Sequence, residues 1–202
     1  DPAKSIFRGC TTNPPLSWEA VRGDIPTWSA YVDKLIEENP DLDNQKIAWL
    51  TYKEVIRRGA EMMMPIYEAS KHRFGWISGQ LNPRLFTETE QMITDADELK
   101  AISPNVMIKV PASTQGIEVL KVLASKGIST NTTTCFTLPQ IKASADATLE
   151  GMEIAKKNGT DLSNWRAVIT MMIGRLTENP VLVQQAERRG IHLTWQDKHW
   201  WG

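Results

Sequence analysis

Short apolar segments alternate with longer helical patterns along almost the whole chain, and this rhythm limits the fold more than any other feature. Strand-like windows fall at 5–13, 75–81, 106–110, 128–136 and 167–173. Proline or asparagine closes several of them: Asn13-Pro14-Pro15, Asn82-Pro83 and Pro111. Helical patterns lie between. One covers 17–38, with an interruption expected near Pro26, and Asn39-Pro40-Asp41 marks a turn after it. The next begins after Asp43, where Trp49, Tyr52, Ile56, Ala60 and Met63 recur at spacings of three and four and make one apolar face. Pro65 should kink or interrupt that helix, because its ring clashes with the preceding turn and it lacks an N–H. Further helices are expected at 87–102, from a Thr114 cap to a Gly127 stop with Ile117, Leu120 and Ala124 facing inward, at 139–157 ending on Asn158-Gly159, and at 178–189. Strands alternating with helices of this length predict βαβ units and a parallel sheet.

Two layouts satisfy that alternation. An open doubly wound sheet usually carries a glycine-rich phosphate turn after its first strand. Neither GxGxxG nor GxxxxGK[ST] occurs here. The other layout is a TIM (β/α)8 barrel, and the polar residues favour it. Thr12, Asn13, Gln80, Lys109, Asn131, Thr133 and Thr170 all fall on, or at the C-terminal ends of, five different predicted strands. A barrel gathers such ends into one pocket, whereas an open sheet spreads them along a line. Five strands are visible where a barrel has about eight, and the sequence closes on Trp200-Trp201-Gly202. The expectation is therefore one barrel domain over residues 1–202, incomplete at both ends.

Composition narrows the functional classes. With 23 basic and 24 acidic residues the net charge is −1, so no basic field attracts nucleic acid. No apolar run approaches the ~20 residues of a membrane span, and the start lacks the charged, apolar and small-residue order of a secretory leader. Cys10 and Cys135 have no CxxC spacing and read as reduced thiols of a cytoplasmic protein. His72, His192 and His199 are scattered, with no metal-ligand spacing.

The chemistry centres on Lys109, in Val106-Met107-Ile108-Lys109-Val110-Pro111. Parallel barrel strands are buried on both faces. A lysine pointing inward there loses hydration, its pKa falls, and the neutral amine can attack a ketone to form an imine. The plain alternatives are a lysine that reaches out at the strand end or one paired with a carboxylate, and the segment alone does not separate these. Asn13 before Pro14 reads equally as a turn signal. Asn131 and Thr133 share one face of a threonine-rich strand, where sugar hydroxyls could satisfy their polar groups. Arg175 follows a strand and is either a surface arginine at a helix start or a bidentate phosphate clamp.

Taken together, five motifs resemble the transaldolase family. They are Thr11-Thr12-Asn13-Pro14, Ile77-Ser78-Gly79-Gln80, Ile108-Lys109-Val110-Pro111-Ala112-Ser113 with Gly116-Ile117, Gly127-Ile128-Ser129-Thr130-Asn131-Thr132-Thr133, and Met172-Ile173-Gly174-Arg175. The resemblance implies an eight-stranded barrel, no metal or organic cofactor, and sugar-phosphate substrates. It implies that Lys109 is the Schiff-base lysine, that Asn13 and Asn131 hold substrate hydroxyls, that Thr133 helps place a catalytic water, that Thr170 supplies the hydroxyl of a usual serine, and that Arg175 binds phosphate. The expected reaction is transfer of a dihydroxyacetone unit from a ketose phosphate such as sedoheptulose 7-phosphate or fructose 6-phosphate to an aldose phosphate.

By that resemblance the sequence departs at Gln80, where classical transaldolases carry a proton-relaying glutamate and some branches of the family carry glutamine. The usual first-strand aspartate falls before Asp1, and a further serine and second arginine fall after Gly202. Residues 152–166 read as a surface insertion. The competing expectations are an aldolase that releases dihydroxyacetone, a non-catalytic sugar-phosphate-binding homologue, and a fragment whose open sheet edges lead it to associate, for instance as a homo-oligomer.

Overall fold

The computed structural model describes residues 2–172, 174–177 and 179–194. Ile173, Glu178 and the closing His199-Trp200-Trp201 lie outside them. Five parallel strands form one sheet in sequence order: β1 (Gly9–Thr11), β2 (Trp76–Gln80), β3 (Val106–Pro111), β4 (Thr130–Cys135) and β5 (Ala167–Met171). Every predicted strand window matches one of them, although the first contracts to three residues and the third runs on through Pro111, which pairs with Thr133. The helices are α1 (Pro14–Gly23), α2 (Ile25–Glu38), α3 (Asn44–Ala69), α4 (Thr89–Lys100), α5 (Thr114–Ser125), α6 (Leu138–Lys157), α7 (Gly174–Thr177) and α8 (Pro180–Arg188).

The sheet divides two environments by the two-residue alternation of its strands. On the outer face Ile77, Val106, Ile108 and Val110 are almost fully buried against Ile56 and Ala60 of α3, Met92, Ala96 and Leu99 of α4, and Val119, Leu120 and Leu123 of α5. These apolar side chains form the main core. On the inner face lie Thr11, Ser78, Gln80, Met107, Lys109, Asn131 and Thr133, mostly polar. That face is concave. Strands lie ~4.8 Å apart, so β2 and β4 stand nearly 10 Å apart across a flat sheet. Even so, the Asn131 Nδ2 of β4 donates to the Ser78 Oγ of β2 at 3.0 Å. Two short side chains meet across β3 because the sheet curls. The architecture is an incomplete (β/α)8 barrel, with five of its strands among the described residues.

Local chemistry sets the helix ends. Pro26 sits in the first turn of α2, where its missing N–H costs nothing, and Asp24 accepts from the Thr27 N–H. The cap of α5 is Ser113, not Thr114: its Oγ accepts from the Gly116 N–H at 3.1 Å. Gly127 ends that region with φ +70°, a conformation glycine takes without strain. Pro65 does not end α3, which continues to Ala69. Its ring faces solvent, and the Glu61 carbonyl it deprives of a partner is on the solvent side of the helix, where water can satisfy it. Residues 152–166 lie mostly at the surface and are tied to the fold at both ends. Their first part completes α6, with Ala155 buried. The rest is pinned by Trp165, whose Nε1 donates to the Ile128 carbonyl at 3.0 Å, and by the Arg166 N–H on Ser129 Oγ.

Candidate active site

Gln80, Lys109 and Asn131 occupy one register row on three adjacent strands: Gln80 pairs with Lys109 across β2–β3, and Lys109 with Asn131 across β3–β4. Thr133 stands two residues further along the same face. The sheet therefore delivers four predicted site residues to one patch at the C-terminal ends of its central strands.

Lys109 is 9% exposed. Its Nζ makes only long contacts, to the Thr12 carbonyl at 3.4 Å and the Thr11 Oγ1 at 3.5 Å, and no carboxylate pairs with it among the described residues. The side chain turns inward across the concave face to β1. Burial lowers its pKa below the ordinary lysine range, and the positive charge of Arg175 lowers it further.

Asn131 is held at both ends of its amide. Nδ2 donates to Ser78, and Oδ1 accepts from the Thr170 Oγ1 at 2.9 Å. This places Thr170 beside the row from β5. The Thr133 Oγ1 meets only the weakly accepting Sδ of Met172, at 3.5 Å, so a better partner can displace that contact. The Gln80 side chain is half-buried and has no hydrogen-bond partner among the described residues. Asn13 caps α1, with its Oδ1 accepting from the Leu16 N–H at 2.8 Å. The turn reading describes that oxygen, while the amide nitrogen has no partner among the described residues. Arg175 is exposed at the start of α7.

Two clefts open over this end of the sheet. One of about 380 Å³ is lined by Gln80, Phe86, Ala112, Ser113, Thr133 and Phe136 among others. A second, of about 670 Å³, lies over the end of β5 between Thr170 and Arg175. The first brings the Gln80 amide and the Thr133 hydroxyl to its wall, and the second the Thr170 hydroxyl and the Arg175 cation; Lys109 lines neither cleft.

A family model described as transaldolase/fructose-6-phosphate aldolase matches residues 3–194. The chain belongs to that family. It is 34% identical over 170 residues to the transaldolase of Mycolicibacterium smegmatis, an overlap covering 83% of this chain and 45% of that protein. It is 34% identical over 175 residues to the transaldolase of Mycobacterium ulcerans, covering 86% and 46%. Transaldolase 1 of Streptomyces avermitilis is 32% identical over 170 residues, covering 83% and 44%. The chain spans about half the length of the curated relatives it matches. No described helix is long and apolar enough to cross a membrane.

Two further residues brace this patch and escaped the sequence reading. Tyr52 of α3 is buried, and its hydroxyl accepts from the Gln80 N–H at 2.7 Å and meets the Thr12 Oγ1 at 3.4 Å. Thr12 gives its single proton to the Ser78 carbonyl at 2.8 Å, so Tyr52 is the donor to Thr12. Burial raises the Tyr52 pKa, and the phenol stays protonated to make that bond. Tyr52 thereby braces both the Gln80 backbone and the residue whose carbonyl faces Lys109. Its apolar helical spacing showed only burial. Gln140 is the second, and Thr137-Leu138-Pro139-Gln140 carried its signal in the S/T-x-x-E/Q pattern of a capping box.

Proposed function

We propose that this chain carries the Schiff-base half of a transaldolase site and transfers a dihydroxyacetone unit between sugar phosphates. The observation that carries this is Lys109: buried, without a carboxylate partner among the described residues, its pKa lowered, and in one register row with Gln80 and Asn131. The Lys109 amine attacks the C2 carbonyl of a ketose phosphate such as sedoheptulose 7-phosphate or fructose 6-phosphate. Water leaves as the imine forms. The C3–C4 bond then breaks, its electrons moving into the imine to give an enamine, while the C4 hydroxyl releases its proton. Gln80 orients the water that receives this proton without ionising itself, and Thr133 holds the same water. The aldose phosphate departs, the enamine carbon adds to an acceptor aldehyde, and hydrolysis of the new imine frees Lys109.

Asn131 and Asn13 hold substrate hydroxyls, Thr170 steadies Asn131, and Arg175 meets the phosphate as a bidentate partner. The two cysteines remain free thiols, which suits the reducing cytoplasm in which we place the reaction. The test is product analysis on the full chain with fructose 6-phosphate and erythrose 4-phosphate. Formation of sedoheptulose 7-phosphate and glyceraldehyde 3-phosphate is expected, with complete loss in Lys109→Ala. Free dihydroxyacetone in place of the seven-carbon product would assign the aldolase reaction instead. Absence of both would overturn the catalytic reading.

A further inference from the structure

Thr134 has φ +52°, a left-handed backbone that a β-branched residue adopts only where its surroundings enforce it. The position is a bulge. Between Thr132 and Cys135 the pairing of β4 with β5 slips, so that Thr133 and Thr134 together face the single residue between Ile169 and Met171. Bulges of this kind redirect the neighbouring side chain, and the neighbour here is Thr133.

The Met172 Sδ accepts from the Thr134 N–H at 3.2 Å on one side of that turn, and Gln140 holds the other. The Gln140 Oε1 accepts from the Phe136 N–H at 2.9 Å, the Thr137 N–H at 3.2 Å and the Thr137 hydroxyl at 3.2 Å. Its Nε2 donates to the Ala112 carbonyl at 3.0 Å and the Thr134 carbonyl at 3.3 Å. Gln140 thus ties the end of β3, the bulge of β4 and the start of α6 into one unit. The oxygen serves the helix cap. The nitrogen serves the strand ends, and only an amide supplies both.

We propose that Gln140 is a positioning residue for the lysine site: its Nε2 bonds hold Thr134 in the left-handed conformation and so fix the direction of the Thr133 hydroxyl. The assignment of a role to Thr133 rests on the transaldolase reading above. The bulge and the clamp do not.

Gln140→Glu separates the two halves of the amide. A carboxylate keeps the acceptor for Phe136 and Thr137, and it suits the positive end of α6. It removes both donors and sets an anion against two carbonyls. In the full chain, Q140E is expected to retain the borohydride-trapped adduct on Lys109 and a nearly unchanged KM, and to lose turnover by about ten- to a hundredfold, the scale of a misplaced reacting group. In a Thr133→Ala background the same change should have no further effect. Thr134→Gly supplies the second variant, because glycine takes a positive φ freely. Q140E should then lose less turnover in T134G than in the parent, and if Q140E alone fails to fold, Q140E/T134G must fold.

Full turnover in Q140E, an equal loss with and without Thr133, or an equal loss with and without Thr134 would overturn the proposal. Amide exchange by mass spectrometry decides the matter apart from catalysis. Q140E should open residues 132–136 and leave α6 protected, whereas parent-like protection of 132–136 would overturn the clamp. A parent that forms no Lys109 adduct would remove the functional reading, and the exchange result would still judge the clamp.

Discussion

The strands β3 and β5 are built from similar residues and live in different surroundings. Val106-Met107-Ile108-Lys109-Val110 is buried along its whole length, while in Ala167-Val168-Ile169-Thr170-Met171 no residue is fully buried and Val168 is 45% exposed. All three residues of β1 are exposed as well. Position in the sheet, and not hydrophobicity, decides the difference. β3 has a strand on each side and two helices behind it, α4 and α5. The chemistry follows the same division. The desolvated lysine and the polar row sit on β2, β3 and β4, whereas the residues suited to the far ends of a substrate, Asn13 and Arg175, lie beyond β1 and β5. Among the described residues the centre is buried and the two flanking strands are exposed.

The largest expected effect comes from the centre. A Cβ on Gly116 would lie 1.8 Å from the Pro111 carbonyl oxygen, backbone against backbone. Gly116→Ala should therefore cost about 3 kcal/mol or more, measured by chemical denaturation, because α5 must move off the end of β3. A matched pair then sharpens the contrast. Val110→Ala, at 0% exposure, should cost about 2 kcal/mol, whereas Val168→Ala should change stability by about 0.5 kcal/mol or less. Equal losses at the two sites would contradict the division between centre and rim.

Lys109 itself gives a smaller effect with a definite sign. Its folded pKa is lowered by burial, so at neutral pH the charged lysine opposes folding. That opposition fades as pH rises through the folded pKa towards the ordinary lysine range. Lys109→Met should accordingly be more stable than the parent at pH 7, and the advantage should shrink in alkaline denaturation series. The smallest effect lies on the rim. Arg175→Gln removes the second cause of the lowered pKa, so the pH inflection for adduct formation should move upward. The move should be slight and weaker at high salt, because Arg175 is exposed.

Much of this arrangement was legible because strand ends announce themselves. Asn13-Pro14 and Asn82-Pro83 follow strand ends, whereas Pro111 is itself paired with Thr133 and the Ala112 N–H still donates to the Thr133 carbonyl; the polar residues near these ends mark the site. Thr114 and Ser113 were harder to separate, since either hydroxyl can cap a helix and only the path of the chain out of β3 chooses between them. Pro65 does not interrupt α3, because the helix on both sides is held by its own packing and the Glu61 carbonyl left without an N–H partner belongs to an exposed residue. The left-handed Thr134 had no signal at all. A threonine run predicts regular strand, and the bulge arises from contacts with Gln140 and Met172, far from local propensity. Exposure of β1 and β5 was equally hidden, for alternation in sequence cannot tell an inner strand from an edge.

The most direct test of the central claim is covalent. The full chain is incubated with fructose 6-phosphate, reduced with borohydride, digested and mapped by mass spectrometry, with Lys109→Ala alongside. The account predicts a three-carbon adduct on the peptide bearing Lys109, forming progressively faster as pH rises through a value below the ordinary lysine range, and absent from the variant. A folded full chain that leaves Lys109 unmodified, or that carries the adduct on another lysine, would contradict it.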